Sequence, residues 1–317
     1  MSKKIAVIGA GAWGTALAIL QANAGRHVVL WARDAKKAEA MRTSRTNPHL
    51  PGVVLPSSLQ ITHEMPEADI LLIAVPLQTV RQLLPALPPG VPLVLCCKGV
   101  EQGTLALPPE IVAPRACAVL TGPNFAHEIA ADLPAAAILA TPDSALRSML
   151  VANLHTRYFR LYGAADLIGA ALGGAAKNVI AIAAGVVMGA GLGENARAAL
   201  ITRGLAEIAR LAEALGGRAE TIAGLSGLGD LMLTCTGQSS RNYSLGYALG
   251  QGQSLQQILV ARESVTEGVM TAPALLSRAN GCGVEMPITA AVTNLLDGGM
   301  SVTQTMAALM SRALKDE

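Results

Sequence analysis

Three stretches of this chain carry residues whose type and spacing could do chemistry. In "IAVIGAGAWGTALA" (5–18), Gly9, Gly11 and Gly14 fit G-x-G-x-x-G between a β-branched apolar run and a helical one. In such a turn the first glycine permits the bend and the second lets the backbone approach a pyrophosphate. The third allows close helix–strand packing, and the helix N-terminus offers unbonded N–H groups to the anion. In "LGGAAKNVIAIAAGV" (172–186), Lys177 is the one charged side chain between Asp166 and Glu194. A desolvated ammonium costs several kcal/mol unless paired or neutralised. Next to a carbonyl receiving hydride, a proton donor lowers the barrier by meeting the charge that develops on oxygen. Burial lowers a lysine pKa and a nearby carboxylate raises it again, so such a group is tunable. In "GLSGLGDLMLTCTGQSSRNYSLG" (224–246), Asp230 is the lone acid of an apolar run, and Ser239-Ser240-Arg241-Asn242 reads as a helix start. Backbone N–H groups, hydroxyls and a guanidinium converging there suit an anion such as phosphate, beyond ordinary N-capping by serine. Asp230 is a possible partner for Lys177, although the sequence alone does not bring them together.

These groups need elements to hold them. The first half reads as an α/β Rossmann-like doubly wound sheet: strand, turn, helix to a stop near Gly25, then a second strand, Val28 to Trp31. Further apolar runs at 69–76, 92–100 and 115–125 read as buried parallel strands. Their unusual residues sit at the carboxyl ends: Pro76, Lys98, Gly122-Pro123-Asn124. Ligands of open α/β sheets bind along that edge, so Lys98 is expected beside the glycine turn. Runs at 135–140 and 157–163 are expected to extend the sheet. At the end of the second strand an acid would hold the ribose 2′-hydroxyl of NAD; this chain has Arg33, then Asp34. Arginine suits a 2′-phosphate, which predicts NADP or use of both cofactors.

From about residue 166 the periodicity turns helical and an all-α C-terminal domain is expected, giving domains 1–165 and 166–317. In "RGLAEIARLAEALGG" (203–217), helical spacing puts Leu205, Ile208, Ala212 and Leu215 on one face and Glu207, Arg210 and Glu213 off it.

Composition narrows the function. Net charge is +2 and aromatics are 3% of residues, so nothing suggests a nucleic-acid surface, which needs basic patches or exposed rings. Mean hydropathy is high, +0.43, and 167–193 is the best candidate membrane span. Its seven glycines and central Lys177 read better as a buried core helix. The start "MSKKIAVIGAGAWG" has the charge of a secretory signal but breaks into glycines without a convincing cleavage site, so a cytoplasmic protein is expected. Five cysteines without C-x-x-C suggest buried thiols rather than disulfides. Histidines 27, 49, 63, 127 and 155 lack ligand spacing, and no metal is expected.

Taken together, the motifs resemble the bacterial-type NAD(P)-dependent glycerol-3-phosphate dehydrogenases over nearly the whole chain. They are "GAGAWGTALA", "NPHLPGVVLP", "AVP", "CCKGVE", "LTGPNFAHE", "LGGAAKNVIAIAAG", "ENARAALITRGLAE", "GLSGLGDLMLTCTGQSSRN", "VTEG" and "GVEMPIT". The resemblance implies reversible hydride transfer between NAD(P)H and dihydroxyacetone phosphate, giving sn-glycerol 3-phosphate for glycerophospholipid synthesis. It implies Lys177 as the proton donor and acceptor, with Lys98, Gly122, Asn124, Asp230, Ser240, Arg241 and Asn242 around the substrate. On the cofactor it places Gly9, Gly11, Ala12, Trp13, Gly14, Arg33, Lys98, Ala126, Arg241, Val265 and Glu267, and it implies a homodimer. Two positions depart from the family pattern. Residue 12 is usually Ser or Thr and here is Ala, which removes a hydroxyl near the pyrophosphate. Residue 124 is commonly Thr or Ser and here is Asn. β-Hydroxyacid and phosphogluconate-type dehydrogenases resemble the same layout, but they space a catalytic Lys and Asn as K-x-x-x-N, whereas Lys177 and Asn178 are adjacent. A non-catalytic NADP(H) sensor would keep the glycine turn and have no need of Lys177 or Ser240-Arg241-Asn242.

Overall fold

Apolar β-branched runs and amphipathic helices alternate through residue 164, and the computed structural model, which describes residues 3–237, 239–261 and 266–311, folds them as one sheet with its helices. In chain order these are β1 (Ile5–Ile8), α1 (Ala12–Asn23), β2 (Val28–Trp31), α2 (Ala35–Ser44), β3 (Gln60–Thr62), β4 (Ile70–Ile73) and α3 (Val80–Leu83). There follow β5 (Leu93–Leu95), α4 (Pro108–Val112), β6 (Cys117–Thr121), α5 (Ala126–Ala130), β7 (Ala135–Ala140), α6 (Ser144–Leu154) and β8 (Phe159–Ala164). The strand order is β3-β2-β1-β4-β5-β6-β7-β8. β1 pairs in parallel with both β2 (Ile5↔Val28) and β4 (Ile5↔Ile70), so the winding reverses at its carboxyl end, where the glycine turn lies. Strands β1, β2, β4, β5 and β6 are buried along their whole length, as a covered parallel sheet requires.

Two features depart from the expected sheet. β3 is an added edge strand, three residues long, too short to show a period in sequence. The runs at 135–140 and 157–163 do extend the sheet, but β7 is antiparallel to β6 while β8 is parallel to β7. The five-residue α5 between β6 and β7 advances only about 7.5 Å, too little to return the chain alongside β6 in the same direction.

The remaining described helices are α7 (Leu167–Gly189), α8 (Glu194–Ala214), α9 (Ala219–Ile222), α10 (Asp230–Thr236), α11 (Arg241–Gly250), α12 (Leu255–Val260), α13 (Glu267–Gly281), α14 (Pro287–Leu296) and α15 (Val302–Met310). Among the described residues no strand follows Ala164. The chain divides into two compact units: 1–98 with 106–171, and 99–105 with 172–317. The short segment 99–105 belongs with the helices; Arg278 on α13 donates to the Leu105 carbonyl at 3.2 Å.

α7 is the one described helix long and apolar enough to cross a membrane, and 94% of its most apolar stretch is buried in the protein. Its glycines explain how. A Cβ at Gly185 or Gly189 would overlap the backbone of Tyr243 or Tyr247 on α11. One at Gly246 or Gly250 would overlap the backbone of Ile182 or Val186 on α7. Two four-residue glycine spacings therefore seat α7 and α11 backbone against backbone, an approach that any side chain would hold apart.

On α8 the sequence expectation needs correction. Gly204, Glu207, Ile208, Leu211 and Ala212 are buried, whereas Leu205 and Leu215 are only half-buried. Glu207, 2% exposed, accepts from the Ile288 N–H (2.7 Å), the Thr289 N–H (3.3 Å) and the Thr289 hydroxyl (3.3 Å). It turns inward because the first turn of α14 presents unbonded N–H groups that need an acceptor. Burial pushes its carboxyl up to about 7, against the downward pull of those donors and Arg210. All five cysteines are free; four are buried, and Cys282 is exposed.

Candidate functional site

The glycine turn begins where β1 ends. Gly9 has φ +116°, and a Cβ there would meet the Ala74 carbonyl oxygen at 2.8 Å. A Cβ at Gly14 would overlap the carbonyl oxygen of Gly9, so α1 lies on the turn as closely as backbones permit. Gly11 is different. Its φ of −74° and ψ of 178° suit any residue, and a Cβ there would meet no protein atom within 4 Å. Neither conformation nor packing within the chain requires glycine at 11, whereas close approach of a pyrophosphate would. The first turn of α1 has no side-chain cap, Ala12 brings no hydroxyl, and its N–H groups are left for an anion. Trp13 packs on the core of this unit with its indole Nε1 buried and without a protein acceptor. A dinucleotide fits this cradle on all three counts.

A residue that sequence reasoning missed braces the turn. Asn47, 2% exposed, donates to the Ala10 carbonyl (3.0 Å) and to Thr15 Oγ1 (2.7 Å), and its own oxygen accepts from the His49 N–H (3.0 Å). It opens the "NPHLPG" motif, which was its only trace in sequence.

Around the turn, parallel β1, β4, β5 and β6 bring their carboxyl ends to one edge. Lys98 lies half-buried just beyond β5, and Gly122 and Asn124 follow β6. Gly122 has φ +151°, and a Cβ there would meet Ala137 Cα at 2.9 Å, so its glycine already answers to the β6–β7 approach. Asn124 donates weakly to the Ala136 carbonyl (3.4 Å), and its Oδ1 is buried without a partner. Ala126 opens α5 and packs on the core. Beyond β2, Arg33 is exposed. Asp34 is committed to capping α2, Oδ1 accepting from the N–H groups of Lys36 (2.8 Å) and Lys37 (3.1 Å). The Lys37 N–H bond leads in holding its carboxyl below the usual range.

In the helical unit, Lys177 projects from the middle of α7 and is 8% exposed. Its Nζ forms an ion pair with Asp230 Oδ1 and donates to Thr234 Oγ1 at 3.0 Å. Asp230, 0% exposed, starts α10 after a wide π turn, Leu225–Gly229. The turn presses on α7 one helical turn before the lysine: a Cβ at Gly173 would meet the Ser226 carbonyl oxygen at 2.6 Å. Asp230 and Lys177, uncertain as partners in sequence, are thus brought together. Thr234, one turn after Asp230, had not been singled out; its hydroxyl donates to the Asp230 carbonyl at 2.6 Å and is left to accept from the ammonium. Burial pushes the thiol of neighbouring Cys235 up to about 12.

Ser240 is the N-cap of α11, accepting from the Tyr243 N–H at 3.2 Å, and Arg241 is the first residue of that helix. Asn242 is buried and spends its amide on the protein, donating to Asn178 Oδ1 (2.9 Å) and accepting from the Gly268 N–H (3.0 Å). Glu267 is half-buried at the start of α13, and Val265 lies outside the described residues. Among the described residues no cluster of His, Cys, Asp and Glu is arranged to hold a metal ion.

A switch-point glycine turn built for a dinucleotide, followed in the chain by helices that bury a lysine–aspartate pair, defines a nicotinamide-dependent dehydrogenase. Comparison with known proteins makes this particular. Models of the NAD-dependent glycerol-3-phosphate dehydrogenase N-terminus and C-terminus match residues 4–147 and 166–307, and the chain belongs to this family. It is 62% identical to glycerol-3-phosphate dehydrogenase (NAD(P)+) of Acidiphilium cryptum, over 99% of this chain and 98% of that one. To the protein of the same name from Gluconobacter oxydans it is 53% identical, over 97% of each. The crystal structure of glycerol-3-phosphate dehydrogenase from Coxiella burnetii superposes with a TM-score of 0.92 at 36% identity, covering 98% of this chain and 99% of that one. D-mandelate dehydrogenase, at 14% identity and TM-score 0.63, shares the fold alone.

Proposed function

We propose that this chain catalyses reversible hydride transfer between NAD(P)H and dihydroxyacetone phosphate, yielding sn-glycerol 3-phosphate for glycerophospholipid synthesis. The observation that carries the reading is the buried Lys177 ammonium, held by Asp230 and Thr234 in a chain of this family. The bound nicotinamide supplies the hydride in reduction and takes it in oxidation. Lys177 gives a proton to the substrate oxygen as negative charge develops there, and it takes that proton back in the reverse direction. Asp230 offsets the desolvation that would otherwise favour the neutral amine, and Thr234 fixes where the ammonium points.

Lys98 and Arg241 suit a phosphorylated substrate, with Gly122, Asn124, Ser240 and Asn242 as its further surroundings. Residues 1–165 act as the nucleotide domain through Gly9, Gly11, Ala12, Trp13, Gly14, Arg33 and Ala126. Residues 166–317 act as the catalytic domain and add Val265 and Glu267 on the cofactor side. Arg33 beside an Asp34 committed to capping α2 favours NADP, with NAD also used. A homodimer in the cytoplasm is part of the same reading.

The test is loss of NADPH absorbance with dihydroxyacetone phosphate, for wild type and Lys177→Ala, with NADPH binding followed by fluorescence. The variant is expected to turn over about 10²- to 10⁴-fold more slowly with nucleotide binding kept. Unchanged turnover would remove Lys177 from the chemistry.

A further inference from the structure

The two peptides that flank Gly11 in the glycine turn are fixed by different means. The one after it belongs to α1, since the Gly11 carbonyl accepts the Thr15 N–H at 2.9 Å. The one before it is held from outside the turn. The Ala10 carbonyl accepts from Asn47 Nδ2 at 3.0 Å, and the same nitrogen donates to Thr15 Oγ1 at 2.7 Å. Asn47 is buried and is itself anchored. Its Oδ1 accepts the His49 N–H at 3.0 Å, and its carbonyl accepts the Leu50 N–H at 2.9 Å. The surrounding segment closes through an antiparallel bridge between Thr46 and Val54, with Leu50 and Leu55 buried beneath it.

The direction of one N–H follows from this grip. The Ala10–Gly11 peptide is trans and planar, so its carbonyl and its N–H point opposite ways. Holding the Ala10 oxygen toward Asn47 therefore sets where the Gly11 N–H points. At a φ of −74° that N–H lies nearly eclipsed with the direction a Cβ would take. A Cβ at Gly11 would meet no protein atom within 4 Å, so the N–H points into that same open space. We infer that Asn47 is a positioning residue for the dinucleotide: by gripping the Ala10 carbonyl it aims the Gly11 N–H at the pyrophosphate before the nucleotide arrives. Ala12 supplies no hydroxyl to the anion, which puts more weight on backbone donors already in place. A donor aimed in advance forfeits no affinity to reorientation on binding. Without Nδ2 the part-buried Ala10 carbonyl must turn to another donor, and it carries the Gly11 N–H with it. That a pyrophosphate occupies the space rests on the functional reading above; the grip on Ala10 rests on the distances alone.

The experiment measures NADPH dissociation constants by fluorescence titration, and melting temperatures, for wild type, Asn47→Ala, Asn47→Leu, Thr15→Val, Gly11→Ala and the Asn47→Ala, Gly11→Ala double variant. Asn47→Ala is expected to weaken NADPH binding about tenfold, as for one misdirected hydrogen bond to an anion. Asn47→Leu fills the space without donating; it should match that loss, and it carries the test if the alanine variant does not fold. Thr15→Val removes the other acceptor of the same amide and leaves the Ala10 bond. Its melting temperature should fall comparably while NADPH affinity stays within about twofold of wild type. The double variant should bind within about threefold of Gly11→Ala, because a Cβ at 11 already keeps the pyrophosphate from the N–H that Asn47 aims. The inference falls if the Asn47 variants that fold bind NADPH as wild type does. It falls equally if Thr15→Val loses as much affinity as Asn47→Ala, since Asn47 would then only support the fold, or if the losses at 47 and 11 multiply in the double variant. A wild type that binds no NADPH would refute the nucleotide reading itself, whereas one that binds NADPH without reducing dihydroxyacetone phosphate leaves these outcomes to decide as they stand.

Discussion

The glycine turn after β1 and the lysine pair of the helical unit handle charge with different materials. At the turn the groups offered to an anion are backbone N–H groups. What shapes them is the absence of side chains at Gly9, Gly11 and Gly14, within six consecutive residues. At Lys177 the groups are side chains, drawn from positions 53 and 57 residues apart in sequence. The first arrangement costs little when nothing is bound, because N–H groups at a helix start can meet water. The second stands on a balance: two desolvated charges are tolerable only as a pair. A backbone site should therefore fail by losing its ligand, and a buried ion-pair site by losing stability as well.

The sharpest way to break this contrast is Asp230→Asn. It keeps the shape but removes the carboxylate that pairs with the buried Lys177 ammonium, expected to cost about 3–5 kcal/mol in denaturant unfolding. The double variant Lys177→Met with Asp230→Leu should recover most of that stability while remaining inactive. A double variant no more stable than the single one would mean that the ion pair itself contributes net stability.

Glu207 offers a test of comparable size in the same unit. Its folded value of about 7 lies above its ordinary 4.5. Below pH 4.5 both folded and unfolded chains carry the proton. As pH rises from 4.5 to 7 only the unfolded chain ionises, so this group makes stability fall with rising pH and level off above 7. At about 1.4 kcal/mol per pKa unit the full loss is roughly 3 kcal/mol. Subtracting the Glu207→Gln stability curve from that of wild type should isolate the slope. A slope of opposite sign would mean that the α14 N–H donors outweigh burial and keep the carboxylate ionised.

The turn should answer to substitution in its own way. Gly14→Ala places a Cβ into the Gly9 carbonyl and is expected to cost about 1–3 kcal/mol of stability along with nucleotide binding. Gly11→Ala meets no protein atom, so its stability should stay within about 0.5 kcal/mol of wild type. Its NADPH affinity, read by fluorescence titration, should nevertheless fall tenfold or more. Equal affinity would mean that the pyrophosphate does not approach residue 11.

The same difference in materials decides what was legible in sequence. The turn, its strands and the helix start at Arg241 follow from local patterns, because glycine spacing and apolar periodicity act over a few residues. Lys177 and Asp230 each stood out as a lone charge in an apolar run, but their meeting depends on the π turn at 225–229 and on Gly173. Thr234 and Asn178 carry no signature of their own, since any helix may hold a Thr or Asn. Glu207 was misread as lying off the buried face because helical spacing cannot see that the first turn of α14 supplies its donors. The reversal at β7 was equally hidden, for strand polarity is set by connection geometry and not by side-chain period.

The smallest expected effect concerns Arg33, a charged side chain that the turn region adds to its backbone groups. Arg33 is exposed beyond β2, where water and salt screen a guanidinium–phosphate contact to about 1 kcal/mol. Asp34, the acid in position to favour NAD, is occupied as the α2 cap. Arg33→Gln should therefore lower kcat/KM with NADPH relative to NADH by about five- to tenfold at low salt, and by less at high salt. Because the cap remains, NADH itself should be used no better than by wild type. If the ratio stays fixed, preference lies elsewhere than at residue 33. If NADH use rises instead, the arginine excludes NAD rather than recruiting the 2′-phosphate, and even this unit then relies on a side chain for selectivity.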